Sequence, residues 1–197
     1  MPQVNSVSDL RSLIQSRFSP AYKDKMLHTV PEWPIVKERA VYLAEKAKGK
    51  VVLDIGCTGP LSAGIKQSAV TYHGVDKEPG NWAVLDLDTN PELLPIFPDV
   101  DLVICSEVLE HLSNPGNFLA SLGKKYLNID TYFTVPNAGA YTVYEGCEMV
   151  NKDHVAWYSY TTLCTLLNRH NYELVKCRWY NGQPHKAEGL IMLARTK

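Results

Sequence analysis

The sequence lacks most of the features that settle a protein's class at a glance. No Cys-x-x-Cys pair occurs, and the five cysteines (Cys57, Cys105, Cys147, Cys164 and Cys177) are odd in number and widely spaced. That excludes a zinc-ribbon or disulfide framework and suits buried thiols in a reducing compartment. No apolar run approaches the length of a membrane span. Residues 1–19 lack the continuous apolar core of a secretory signal, so the expected location is cytoplasmic. An excess of one charge is missing as well. The formal net charge is -1, which offers no overall basic field to a nucleic-acid backbone. Repeats and low-complexity tracts are absent. What remains is a chain of 197 residues, 45% hydrophobic and 21% charged, enough for one globular domain with a sizeable core.

Val7, Leu10, Leu13, Ile14 and Phe18 recur at roughly helical spacing. They predict an amphipathic helix in an N-terminal appendage, residues 1–33. A second helix is expected to start near Pro34 and stop at Gly49. The main domain, residues 34–197, then alternates. Val51–Asp54, Thr71–Asp76, Trp82–Leu85, Asp101–Ser106 and Thr131–Val135 read as strands. Leu61–Gln67, Pro115–Tyr126 and Tyr160–Arg169 read as helices. Tyr172–Trp179 and Leu190–Ala194 flank Asn181-Gly182, a hairpin signal. Residues 137–156 read as a long loop. This order predicts a doubly wound, Rossmann-like α/β fold. Its seven-stranded sheet is mostly parallel, with an antiparallel C-terminal hairpin strand and helices on both faces. Ligands of such folds bind beyond the carboxyl ends of the strands, where strand order reverses.

Four strand ends carry polar residues: Asp54 and Gly56, then Gly74-Val75-Asp76, then Asp86-Leu87-Asp88, then Ser106-Glu107. Asp76 follows Gly56 by twenty residues. It is placed to accept hydrogen bonds from ribose hydroxyls, or it caps a turn. Asp86 or Asp88 can accept from an adenine amino group, or belongs to a solvated turn before Pro91. A dinucleotide fingerprint needs Gly-x-Gly-x-x-Gly. This loop offers only Gly56 and Gly59, followed by Pro60, and it begins with the acid Asp54. A carboxylate there would repel a pyrophosphate and suit a ligand with an ammonium tail. S-adenosylmethionine, with its adenosine, sulfonium and amino-acid tail, meets both demands. No metal site is expected.

The stretches Val51-Val52-Leu53-Asp54-Ile55-Gly56-Cys57, His73-Gly74-Val75-Asp76 and Asp101-Leu102-Val103-Ile104-Cys105-Ser106-Glu107-Val108-Leu109-Glu110-His111-Leu112 resemble the class I S-adenosylmethionine-dependent methyltransferases. The last is most similar to small-molecule enzymes related to ubiquinone and menaquinone biosynthesis. The resemblance covers residues 50–194. It implies that Asp54 and Gly56 line the methionine part of the cofactor, Asp76 holds the ribose, and Asp86 and Leu87 frame the adenine. Ser106 and Glu107 would sit beside the methionine or at the substrate mouth. Cys57, Thr58, Gly59 and Lys77 are grouped with the cofactor set. His154, His111 and Glu107 are the candidate catalytic residues.

Two departures stand out. Thr58 and Pro60 occupy positions where the family has glycine. Only ten residues separate Asp76 from Asp86, too few for the usual helix. Pro79-Gly80 suggests a tight turn instead, with Trp82 as cover or core. Tyr141, Tyr144, Trp157 and Tyr158 are either an acceptor pocket or ordinary aromatic packing. The expected function is methyl transfer from S-adenosylmethionine to a small-molecule acceptor by in-line displacement, releasing S-adenosylhomocysteine. Two alternatives stay open at this stage: a methyltransferase-like binding module without catalysis, and a dinucleotide-dependent oxidoreductase or epimerase.

Overall fold

The computed structural model describes residues 35–80, 82–138, 153–181 and 188–197. The expected N-terminal helix and appendage, Tyr141 and Tyr144, and most of the hairpin turn after Asn181 lie outside the described residues. In chain order the elements are β1 (Ile35–Val36), α1 (Arg39–Ala47), β2 (Val51–Ile55), α2 (Pro60–Ser68), β3 (Thr71–Asp76), β4 (Ala83–Val84) and β5 (Leu102–Ser106). These are followed by α3 (Pro115–Lys125), β6 (Asp130–Pro136), α4 (Tyr160–Arg169), β7 (Tyr172–Tyr180) and β8 (Gly189–Thr196). Single 3-10 turns form at Pro91–Leu93 and Leu109–His111.

The strands make one sheet in the order β1-β7-β8-β6-β5-β2-β3-β4. Pairing is parallel except for β6 with β8 and β7 with β8, which are antiparallel. The expected architecture is thus observed, with one more strand than the sequence suggested. Ile35 and Val36 pair with Trp179 and Tyr180, so the helix expected from Pro34 begins instead at Arg39. The β7 edge takes those two residues before the helical face of Val41, Leu43, Ala44 and Ala47 begins.

Strand alternation puts successive residues into two cores. Leu53, Ile55, Val103, Cys105 and Phe133 pack with Phe118, Leu119 and Leu122 of α3 and with Leu163 and Leu167 of α4. Val52, Leu102, Ile104 and Ile191 pack on the other face with Leu43 and Ala47 of α1 and Ile65 of α2. Helices therefore cover both faces, which is why the parallel strands read as unbroken apolar runs.

The turn after β2 is built by its odd residues. Gly56 adopts φ 79°, and a Cβ there would stand 2.5 Å from Val108 Cγ2. Gly59 caps α2 and Pro60 is its first residue. A helix start leaves that N–H unpaired in any case, so proline loses nothing there. The short link from β3 to β4 closes through Trp82, whose Nε1 donates to the Glu78 carbonyl at 2.8 Å. Its ring covers Gly80, and its Cβ meets Gly74 closely enough that a side chain at Gly74 would clash. Trp82 is therefore packing for this turn.

Candidate active site

Strand order reverses between β2, which continues outward to β3, and β5, which leads to β6. A cavity of about 350 Å³ opens there, within the range of small-molecule sites. Of the residues expected to bind a cofactor, Gly56, Thr58, Asp76, Lys77, Asp86, Leu87 and Glu107 line it, and so does His111. Asp88, the alternative to Asp86 at the adenine, lines it as well, and Glu78, Leu85, Val108, Leu112 and Asp153 line it too and were not anticipated as a wall.

Four expected cofactor residues are elsewhere. Asp54 is 1% exposed and shares a face of β2 with Val52, beneath the first two helices. Its Oδ2 accepts from Tyr72 Oη at 2.7 Å, and Oδ1 accepts no bond within hydrogen-bonding geometry among the described residues. Burial raises its carboxyl to about 6, with the Ser62 and Tyr72 hydroxyls pulling the other way. The two-residue strand period thus turns Asp54 away from the residues that line the cavity. Cys57 is buried against Gly74, and Gly59 is the cap of α2. Ser106 turns toward β6, 2.7 Å from Thr134 Oγ1.

The cavity wall is acidic without Asp54. Among the described residues, Asp76, Glu78, Asp86, Asp88, Glu107 and Asp153 line the cavity against the single lysine Lys77. Asp88 is committed to structure: it accepts from Ser113 N at 2.7 Å, Ser113 Oγ at 2.8 Å and Asn114 N at 3.3 Å, fixing the approach to α3. Among the described residues, the Asp86 carboxylate accepts only from Asp88 N, through Oδ1 at 2.9 Å. Asp86 is therefore the freer of the two acids at the cavity.

Glu107 follows β5 with φ 55°, a left-handed conformation for a side-chain-bearing residue. Three donors converge on its Oε1: Arg39 Nη1 at 2.6 Å, Thr134 Oγ1 at 2.8 Å and Tyr180 Oη at 3.1 Å. Because the Thr134 proton goes to Glu107, Ser106 must donate to Thr134. Burial, and then the Glu107 charge, hold the Tyr180 phenol above its ordinary range, so it stays a donor. This network reaches the cavity from α1, β6 and β7, and neither Arg39 nor Tyr180 carries a local sequence signal for it.

The turn Leu109–His111 tucks Glu110 inward to 1% exposure, and neither carboxylate oxygen has a hydrogen-bond partner among the described residues. Burial, then the Glu107 charge, hold its carboxyl well above the usual carboxylate range. His111 Nδ1 lies 3.1 Å from the Asp153 carbonyl. A carbonyl only accepts, so Nδ1 carries a proton. His154 does not line the cavity. It meets the His111 ring edge-on at 4.7 Å and Trp157 at 5.4 Å, and its buried Nδ1 has no hydrogen-bond partner among the described residues. Burial and the neighbouring His111 lower its pKa, which favours neutral imidazole. The sequence offers no metal motif, yet Glu110, His111 and His154 bring one ligand atom each within 4.8 Å of one another. Tyr158 is core: it is buried and its hydroxyl donates to the Leu109 carbonyl at 3.3 Å.

Known proteins are similar to this chain in sequence and fold. Over 108 residues the chain is 33% identical to the ubiquinone biosynthesis O-methyltransferase of Photobacterium profundum, a match covering 47% of this chain and 46% of that protein. The chain thus spans about half the length of this curated relative. Its fold is similar to a Burkholderia thailandensis 1,6-didemethyltoxoflavin-N1-methyltransferase, solved with 1,6-didemethyltoxoflavin and S-adenosylhomocysteine. There the TM-score is 0.60 at 14% identity, covering 100% of this chain and 93% of that one. It is also similar to the small RNA methyltransferase HEN1, with TM-score 0.65 at 19% identity, over 81% of this chain and 25% of that one. Residues 26–177 match the family described as methyltransferase domain, and the chain belongs to that family.

Proposed function

We propose that the chain binds S-adenosylmethionine in the strand-end cavity and methylates a small hydroxyl-bearing acceptor. The observation that carries this reading is the charge of the cavity, where the described residues set six carboxylates, one of them (Glu107) paired with Arg39, against one lysine. Such a field attracts a sulfonium and an ammonium and repels a pyrophosphate, which argues against the dinucleotide alternative. The residues fit the cofactor. Gly56 leaves no room for a side chain beside Val108, so its backbone can approach a ligand closely. Asp76 would hold the ribose. Asp86 would take the adenine amino group, with Leu85 and Leu87 as apolar walls, and Glu107 would face the amino-acid tail. Bound there, the cofactor supplies a methyl group on a cationic sulfur.

The chain's own part is to hold the acceptor in line and to take its proton. Orientation of this kind supplies roughly 7–11 kcal/mol of a barrier. His111, which lines the cavity and is oriented at Nδ1 by the Asp153 carbonyl, is suited to accept the hydroxyl proton at Nε2, with His154, biased toward its neutral form, packed against its ring. Calorimetry with S-adenosylhomocysteine tests the cofactor assignment. Asp76→Ala should bind it roughly tenfold to a hundredfold more weakly, the effect of about 1–3 kcal/mol from a lost buried acceptor. No heat of binding at millimolar ligand would turn the reading to a non-catalytic module. His111→Gln should slow turnover far more than it weakens cofactor binding.

A second reading of the acceptor end rests on the two unpartnered Glu110 oxygens beside His111 and His154. One carboxylate and two imidazoles make a donor set for a divalent cation, and a cation would polarise the acceptor hydroxyl. Manganese should then raise the melting temperature of the protein and leave that of Glu110→Gln unmoved. An equal response in both would remove this reading.

A further inference from the structure

Asp76 stands at the end of β3, 7% exposed, on the wall of the cavity. Its carboxylate is already engaged. Thr58 N and Thr58 Oγ1 both donate to Oδ2, each at 3.0 Å. Glu78 N donates to Oδ1, also at 3.0 Å. The hydroxyl must be the donor, because an ionised carboxylate only accepts. A carboxylate offers about four acceptor positions, so the chain itself fills both on Oδ2 and one on Oδ1. A vicinal ribose diol read by one carboxylate needs two.

Resting on the cofactor reading above, we propose that Thr58 sets ribose recognition: its hydroxyl holds an acceptor position on Asp76, so this carboxylate reads one ribose hydroxyl and not two. Thr58 stands where the resembling enzymes have glycine, which carries no side-chain donor. The backbone bond from Thr58 N would survive any substitution. The hydroxyl bond is therefore the removable one. Thr58 is exposed, so exchanging its side chain does not disturb the core.

The test is calorimetric and needs no methyl acceptor. S-adenosylhomocysteine and its 2′-deoxy and 3′-deoxy analogues are titrated into the full chain, into Thr58→Val and into Thr58→Ser. Valine keeps the shape without the hydroxyl, and serine restores the donor. In the unaltered chain, deleting one ribose hydroxyl should weaken binding roughly tenfold and deleting the other less than about twofold. Thr58→Val should bind S-adenosylhomocysteine about five- to tenfold more tightly and lose roughly tenfold for either deletion. Thr58→Ser should match the unaltered chain. Equal tenfold losses in the unaltered chain, or unchanged or weaker binding by Thr58→Val, would overturn the Thr58 assignment alone. Failure of every form to bind S-adenosylhomocysteine would overturn the cofactor reading and this inference with it.

Discussion

Asp54 is held beside Tyr72 and α2 with its carboxyl raised to about 6 by burial. The consequence for stability has a definite sign. The folded chain keeps this proton up to about pH 6, while an unfolded aspartate loses it near 3.8. Asp54 therefore favours the folded state most at low pH, and that contribution is lost as pH rises through the window from about 4 to 6. The loss is on the order of 3 kcal/mol, since each tenfold change in proton affinity between the two states is worth about 1.4 kcal/mol. Asp54→Asn keeps an acceptor for Tyr72 without the charge. Denaturant unfolding at pH 4 and pH 7 should show the variant gaining on the parent between the two, by up to that amount. Identical pH dependence in both would mean that Asp54 does not titrate in this window. Gly56 is the opposite case, constrained by backbone and not by charge. Alanine there meets both φ 79° and Val108 Cγ2 at 2.5 Å. The left-handed strain and the clash should cost about 1–3 kcal/mol, with S-adenosylhomocysteine binding lost or weakened in the same variant.

At the scale of elements, what could be read in advance follows from periodicity. Buried parallel strands and amphipathic helices announce themselves by their repeats, so the order from β2 to β8 and the cavity's place at the strand ends were readable. The ends of elements were less so. Ile35–Val36 looks like the start of a helix and is a strand only because β7 offers it an edge. Asp54 was expected at the cofactor from its nearness to the glycine turn, and its face of the strand puts it outside the cavity lining. Arg39 and Tyr180 could not be found at all, since residues 141 positions apart meet only through the sheet. Their joint target makes a prediction for α1. Arg39 Nη1 reaches both Glu107 Oε1 at 2.6 Å and Tyr180 Oη at 3.0 Å, and its guanidinium lies over the Tyr180 ring. The ion pair is mostly sheltered, with side chains 24% and 28% exposed. Arg39→Gln should lower stability by about 1–3 kcal/mol in denaturant unfolding. Arg39→Lys should recover only part of that, because an ammonium lacks the planar face that the guanidinium lays over the Tyr180 ring. Full recovery by lysine would show that charge alone suffices.

For the whole molecule the governing quantity is the field that the strand ends sum into one cavity. A net charge of -1 conceals it, because among the described residues a single lysine lines the opening that six carboxylates face. Ligands that bind only the folded chain stabilise it by mass action, about 2.7 kcal/mol at a hundred times the dissociation constant. For a domain of this size that is a rise of about 5–10 °C in melting temperature. S-adenosylhomocysteine should produce such a rise, and NAD, whose pyrophosphate the carboxylates repel, should produce none. S-adenosylmethionine differs from its product by the methyl and one positive charge, so the field should favour it over S-adenosylhomocysteine. Part of that preference is long-range and is screened once the Debye length falls from about 30 Å at 0.01 M salt to about 8 Å at 0.15 M. The ratio of the two affinities, measured by calorimetry across that range, should therefore decline as salt rises. A ratio that stays constant would place the discrimination in short contacts at the sulfur, and the carboxylates would then serve to hold the adenosine and not to select the sulfonium.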